Sequence, residues 1–321
     1  MKRSLKIWLI AALVLVAIGM IVFLAAFAVL DFDFGRLDTM NYETNIYEVE
    51  ENFDKISVNV KTEDVLFKLS EDGKCKVECY EREKVKHDVT VDGKELKIKT
   101  DDTRKWWDHI SLFSFKSSKI TVYLPNEEYL SLNVKAHTGK IDVSKDFTFG
   151  DLDISVNTSD VTVRASVTDG ARIKSDTGKV TLEDISLGSA DISCDTGNIN
   201  IKNVKVSEKL AAEVNTGKIK LSDVICKDLD AQSDTGDIDL ERVIAEGKFN
   251  ISADTGDVKF DKCDAAEIYV ETDTGDVRGT LNSDKIFFTK TDTGKIDVPK
   301  TTSGGRCEIE TDTGDIKITV N

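Results

Sequence analysis

Basic residues are scarce in this chain relative to acidic ones. The 321 residues include 43 Lys and Arg against 59 Asp and Glu, which gives a formal net charge of −16 at pH 7. Nucleic-acid binding and docking on anionic lipid both reward basic patches. The charge balance therefore argues against a nucleic-acid partner, and it is typical of a narrow molecule that is solvated all round.

Histidine is also scarce, and cysteine is scattered. His87, His109 and His137 do not form a close Cys/His set with metal-ligand spacing, so we expect ordinary surface residues rather than metal ligands. Cys75 and Cys79 lie four residues apart on a predicted strand, about 13 Å, which is too far for a disulfide. The remaining cysteines occupy inward positions of the repeat described below and are predicted to be small core residues: Cys194, Cys226, Cys263 and Cys307.

The tripeptide Asp-Thr-Gly, with variants, is abundant and evenly spaced. Its Thr recurs at steps of 19 or 20 residues, at positions 138, 158, 177, 196, 216, 235, 255, 274, 293 and 313. A period held this tightly over so many copies indicates a repeat architecture.

Small or apolar residues alternate with polar ones on both sides of each marker. Counted from Thr, they occupy positions −6, −4 and −2, then +3 and +5, and often +8 and +10. Period-two alternation predicts three short strands per repeat, and Gly suits a corner with positive φ. We therefore predict an all-β fold: a single-stranded, parallel-type β-solenoid (β-helix) of about 19–20 residues per coil, regular over residues 131–321.

Asp-Thr-Gly is also the catalytic triplet of aspartic proteases. Those enzymes bring two aspartates together to share one proton, whereas these copies repeat along one edge of a rod. Coils without long loops also leave little room for a polysaccharide-cleaving cleft, a minor alternative. We therefore predict that the protein is not an enzyme and has no catalytic residues or cofactor.

A degenerate marker at Thr62-Glu63-Asp64 places the first coil upstream of the regular repeats. Residues 53–130 are predicted to hold this coil and an inserted hairpin at Asp92-Gly93, which together form an N-terminal cap. Trp106 and Trp107 of the insertion are expected to pack against the coil. No capping segment follows the last coil, which ends at Asn321, so its open edge predicts self-association.

Residues 7–30 form an uncharged apolar run long enough to span a bilayer. Basic residues in the tail 1–6 predict a cytoplasmic N-terminus and an extracytoplasmic solenoid, with residues 31–52 as an acidic spacer. A cleaved signal peptide is the alternative, since Ala26-Phe27-Ala28 fits a cleavage site, although the run is long for one.

Carboxylates stack at three successive corners, where a ladder about 4.8 Å in spacing would bind Ca²⁺ through oxygen ligands. The ladder comprises Asp234, Asp237, Asp254, Asp257, Asp273 and Asp276. The alternative is that the Asp before Thr caps the turn while the Asp after Gly points to water.

The chain resembles the putative-adhesin, β-strand-repeat domain family of bacterial cell-envelope proteins. The resemblance covers residues 53–321 and rests on residues 53–56, the segment 120–125 and the Thr-Gly-[Asp/Lys]-[Ile/Val] corners. It implies an extracytoplasmic solenoid without established catalytic residues, often linked to envelope stress responses. The expected function is a membrane-anchored structural, adhesion or scaffolding rod, with an envelope glycan or membrane protein as partner. The alternative is a stress sensor acting through a membrane partner.

Overall fold

The computed structural model describes residues 3–29, 41–104 and 117–321, as one helix and 24 strands. The helix α1 spans Arg3–Val29. The strands of the N-terminal part are β1 (Tyr42–Val49), β2 (Lys55–Val60), β3 (Asp64–Leu69), β4 (Cys75–Arg82), β5 (Val85–Asp92), β6 (Glu95–Asp102) and β7 (Lys119–Leu124). The predicted roles of Trp106, Trp107 and His109 lie outside the described residues.

The remaining strands belong to stacked coils. They are β8 (Glu128–Thr138), β9 (Ile141–Val143), β10 (Thr148–Thr158), β11 (Val161–Val163), β12 (Ser166–Val206), β13 (Lys209–Thr216), β14 (Ile219–Cys226), β15 (Asp228–Thr235), β16 (Ile238–Ala245), β17 (Lys248–Thr255), β18 (Val258–Cys263), β19 (Glu267–Thr274), β20 (Val277–Leu281), β21 (Lys285–Thr293), β22 (Ile296–Asp297), β23 (Gly305–Thr313) and β24 (Ile316–Val320).

Each coil has a first arm that ends at the marker Thr and a second arm that begins after it. Equivalent arms of successive coils pair in parallel and in register, so that Thr216 pairs with Thr196 and Thr235. About ten turns at the ~4.8 Å spacing of paired strands make a rod roughly 45 Å long. The β-solenoid predicted from the period is therefore confirmed.

Alternating residues of nearly all arms face inward and form one continuous core. In β15, for example, Leu229, Ala231 and Ser233 are buried while the residues between them are more exposed. All six cysteines are buried and free, which confirms the core position predicted for Cys194, Cys226, Cys263 and Cys307. A single coil cannot shield such a face from water, so the core exists only because the coils stack.

A second corner divides the second arm at position +7. Asp184, Asn203, Asp223, Arg242 and Lys262 all have φ between 52° and 58°, the left-handed region. One residue in this conformation shifts the alternation from positions +3 and +5 to +8 and +10, as a bulge does. Most coils therefore contain two strands instead of the three short strands predicted, and the second strand bends where this left-handed residue is present.

Glycine at the marker corner meets two requirements at once. Gly217 has φ of 146°, and a Cβ added there would lie 1.6 Å from the carbonyl oxygen of Gly197 in the preceding coil. Gly236 repeats this arrangement against Gly217, at 1.7 Å. The corner therefore needs glycine for close packing between coils as well as for its turn.

The N-terminal end is covered by strands of residues 75–124. β2 lies between β6 and β8, and β3 lies between β7 and β9. β4 pairs antiparallel with β7, and β5 and β6 form a hairpin. The predicted spacer 31–52 is wrong for residues 42–49, because this segment forms β1 and pairs antiparallel with β4 along its whole length.

The C-terminal end departs from sequence order. β23 pairs with β19 on one side and with β21 on the other, and β24 likewise lies between β20 and β22. The coil that holds Ile316 and Ile318 is therefore inserted beneath the coil of residues 285–297. The open edge predicted for the last coil belongs instead to β21 and β22, the preceding coil in the sequence.

We predict that Gly217→Ala destabilises the solenoid by about 2–6 kcal/mol, from backbone strain and overpacking together. Gly73→Ala is the matched control, because Gly73 has φ of 72° but nothing lies within 4 Å of its added Cβ. The control should cost about 1–2 kcal/mol from conformation alone. The measurement is the urea unfolding midpoint of each variant, and equal losses would contradict close packing between corners.

Candidate functional site

A polar cluster is buried inside the N-terminal cap. The inward face of β4 carries Cys75, Val77, Cys79 and then Glu81, so a carboxylate continues an otherwise apolar row. His87 follows on the inward face of β5, across the turn that joins the two strands. Because side chains alternate between the two faces of a strand, Glu81 and His87 occupy inward positions that apolar residues normally fill.

Glu63 joins this cluster from the first coil. It occupies the place that glycine takes at most other corners, and its side chain is fully buried. Its Oε2 accepts hydrogen bonds from the backbone N–H groups of Lys61 (2.8 Å) and Thr62 (2.7 Å). Its Oε1 lies 3.5 Å from His87 Nε2.

His87 lies between two carboxylates. Its Nδ1 is 2.5 Å from Glu81 Oε2, and Asn45 Nδ2 donates to Glu81 Oε1 at 2.6 Å. Burial opposes the imidazolium, but the neighbouring carboxylates of Glu63 and Glu81 outweigh it and raise the pKa of His87. Burial likewise opposes ionisation of Glu63, but the neighbouring His87 and the hydrogen bonds from the backbone hold its pKa below the usual value.

Cys79 completes the cluster. Its Sγ, a Glu81 carboxylate oxygen and a ring nitrogen of His87 lie within 4.8 Å of one another. Burial, reinforced by Glu81 and Glu63, raises the pKa of the thiol to about 12. The expectation that His87 is a surface residue is wrong, and the signal that could have located it is its place in the alternation of β5.

The aspartates after the marker Gly form a hydrogen-bonded ladder. Asp237 Oδ1 accepts from the backbone N–H of Asp257 at 3.1 Å, and Asp257 Oδ1 accepts from that of Asp276 at 3.0 Å. Asn198 Oδ1 likewise accepts from the backbone N–H of Lys218, at 2.9 Å. The expectation that these side chains point only to water is wrong, since each one caps the corner of the next coil.

Cations also neutralise this ladder. Lys259 Nζ lies 3.3 Å from Asp257 Oδ2 and 3.8 Å from Asp237 Oδ2, and Arg278 pairs with Asp276. The aspartates before Thr, at 234, 254 and 273, are exposed. Within the described ranges, the six predicted calcium ligands do not form a close group of three. Calcium binding by them stays a prediction.

The coil of residues 285–297 leaves one end of the solenoid open. Within the described chain, β21 pairs only with β23 and β22 only with β24, so the outer backbone groups of both strands lack a strand partner. Ile286, Phe288 and Ile296 are 37%, 47% and 46% exposed there. The apolar side chains and free backbone groups make this end a candidate contact surface.

Stacked parallel arms, glycine corners and a capped first coil define a β-solenoid repeat protein. The family model described as Toastrack DUF4097 matches residues 53–208 and again residues 205–321. The chain belongs to the Toastrack DUF4097 family. No curated protein matches it in sequence.

Solved structures resemble this chain at low sequence identity. A protein named a putative adhesin from Parabacteroides merdae has a TM-score of 0.52 and 12% identity, over 75% of this chain and 97% of its own. A putative lipid binding protein from Parabacteroides distasonis has a TM-score of 0.49 and 19% identity, over 74% and 96%. A putative adhesin from Bacteroides fragilis has a TM-score of 0.42 and 16% identity, over 87% and 97%. The first of these likenesses shows the fold alone.

We predict that Asp257→Ala lowers the free energy of unfolding by about 1–2 kcal/mol, because the N–H of Asp276 loses its acceptor. Asp254→Ala, on the same corner but exposed, should change it by less than about 0.5 kcal/mol. Asp257→Asn should retain most of the stability, since Asn198 fills this role in another coil. Chemical denaturation of the three variants tests this, and equal effects of Asp254→Ala and Asp257→Ala would contradict the capping role.

Proposed function

We propose that the protein is a membrane-anchored solenoid with a structural or adhesive role at the bacterial cell envelope. The observation that carries the proposal is the combination of one exposed apolar helix with a rod whose described coils repeat without a deep cleft. Lys6–Ala25 of α1 is long and apolar enough to cross a membrane, and none of it is buried. In this proposal the N-terminus is cytoplasmic and the solenoid extracytoplasmic.

The surface of the rod supports a structural role. Charged side chains pair between successive coils, as in Lys218 with Asp239 (2.5 Å) and Lys227 with Glu208 (2.8 Å). The Asp-Thr-Gly copies stack on one edge of the rod with their aspartates exposed, and this disfavours the protease alternative. Adhesion is also the role in the names of two of the similar solved structures.

The open coil at residues 285–297 is the proposed contact between copies. It lies at the opposite end of the strand order from the cap that follows α1, so an anchored rod would present it away from the membrane. Edge strands with unpaired N–H and C=O groups readily accept a strand from another chain. Two copies would meet end to end, β21 against β21, in a closed two-fold arrangement.

The proposed topology predicts a labelling pattern. All six native cysteines are buried, so an exposed cysteine introduced as Asp254→Cys should be the main site for a membrane-impermeant maleimide in intact cells. Ser4→Cys should be labelled only after lysis, because it would lie on the cytoplasmic side. Labelling of Ser4→Cys in intact cells, or of Asp254→Cys only after lysis, would contradict the topology.

The end-to-end contact predicts concentration-dependent dimers. In sedimentation of residues 41–321, which omit the helix, the mass should rise toward twice the monomer as concentration increases. The double variant Ile286→Lys/Phe288→Lys should remain monomeric, because charge on both positions blocks the edge.

Ile225→Lys is the matched control for this experiment. Ile225 is 50% exposed on β14, in the middle of the rod, so its replacement should leave dimerisation unchanged. A wild-type chain that stays monomeric at every concentration would contradict the contact.

A further inference from the structure

The cluster of Cys79, Glu81 and His87 has the composition and closeness of a metal site. Its three ligand atoms come from two adjacent antiparallel strands and lie within 4.8 Å of one another. In a tetrahedral zinc site, bonds of about 2.0–2.3 Å place ligand atoms roughly 3.3–3.7 Å apart. Small side-chain rotations would therefore bring the three groups to zinc geometry.

The donor set selects among metals. Sulfur from Cys79, nitrogen from His87 and oxygen from Glu81 are the three ligand types that zinc accepts in proteins. Calcium and magnesium take oxygen ligands, so a thiol and an imidazole disfavour both of them. The three side chains fill three of the four tetrahedral positions.

Two buried polar atoms without a hydrogen bond also indicate a metal site. His87 Nε2 and Glu63 Oε1 are fully buried, lie 3.5 Å apart and form no hydrogen bond, although buried polar atoms normally have one. A metal on Nδ1 would fix the ring proton on Nε2, directly opposite Glu63. Histidine ligands usually donate this second N–H to a carboxylate, so Glu63 has the place of a positioning residue.

The geometry points to a structural zinc site in the N-terminal cap, with Cys79, Glu81 and His87 as ligands and Glu63 orienting the imidazole. The ion would join β4 to β5 and connect the cap, through Glu63, to the first coil. Because the cluster is buried, zinc would be acquired as the cap folds. Binding displaces the thiol proton and the proton on Nδ1.

The first test measures metal content of the reduced, full-length protein. After chelation, Zn²⁺ is added and the excess removed by gel filtration. We expect about one zinc per chain for the wild type, as for a single site with three protein ligands. Cys79→Ala should lose the zinc. Cys75→Ala should keep it, because Cys75 is buried on the same face of β4 but lies outside the cluster.

Cobalt replacement tests the ligands directly. Co²⁺ bound to Cys79 should give a thiolate-to-cobalt charge-transfer absorption in the wild type and in Cys75→Ala, but not in Cys79→Ala. Glu63→Gln should keep this absorption while weakening zinc binding by about 10- to 100-fold, as expected for a residue that acts through a ligand. Far-UV circular dichroism of each variant establishes that it is folded.

Two outcomes would overturn the site. One is a wild-type zinc content no higher than that of folded Cys79→Ala, which would mean that the metal binds surface carboxylates. The other is a cobalt complex without the charge-transfer absorption, which would exclude the thiolate. If Cys79→Ala does not fold, Cys79→Ser replaces it, and persistence of the wild-type absorption in that variant would also overturn the site.

Discussion

The close approach of each corner to the one before it is the constraint on which the solenoid depends. Strand pairing sets one spacing for every coil, and at the marker this spacing leaves no room for a Cβ between Gly217 and Gly197. The same approach brings the carboxylate after Gly within reach of the next backbone N–H. Where glycine is replaced by Glu63, the corner belongs to the first coil and the larger side chain enters the cap.

Much of the fold could be predicted because the period and the alternation are local properties of the chain. Inward positions such as Leu229, Phe249 and Ile268 follow from counting outward from Thr, and all three are buried and in register. The order of coils at the C-terminal end could not be predicted. All coils have equivalent edges, so nothing local in the sequence distinguishes β21 from β23 as the strand that pairs with β19.

The polar cluster of the cap could not be predicted from the period and the alternation, for a different reason. Glu81 and His87 come from two strands whose pairing breaks the repeat, and Glu63 comes from the corner of the first coil. Their closeness depends on strands of the cap that pack against that coil. β1 was not predicted from the sequence because its acidic composition is typical of a spacer. The segment forms a strand because it pairs with β4. Alternation shows which residues face inward, but it does not show which inward faces meet.

The insertion of the last coil between two earlier ones has a consequence for biosynthesis. Until residues 305–321 leave the ribosome, β19 and β21 each have an unpaired edge that accepts β23 in the final fold. The coils cannot reach their final order before then. The stack is therefore completed from within, by a coil that follows both of its neighbours in the sequence. Strand β23 is then held on both sides, so that it is among the better protected parts of the rod against fraying.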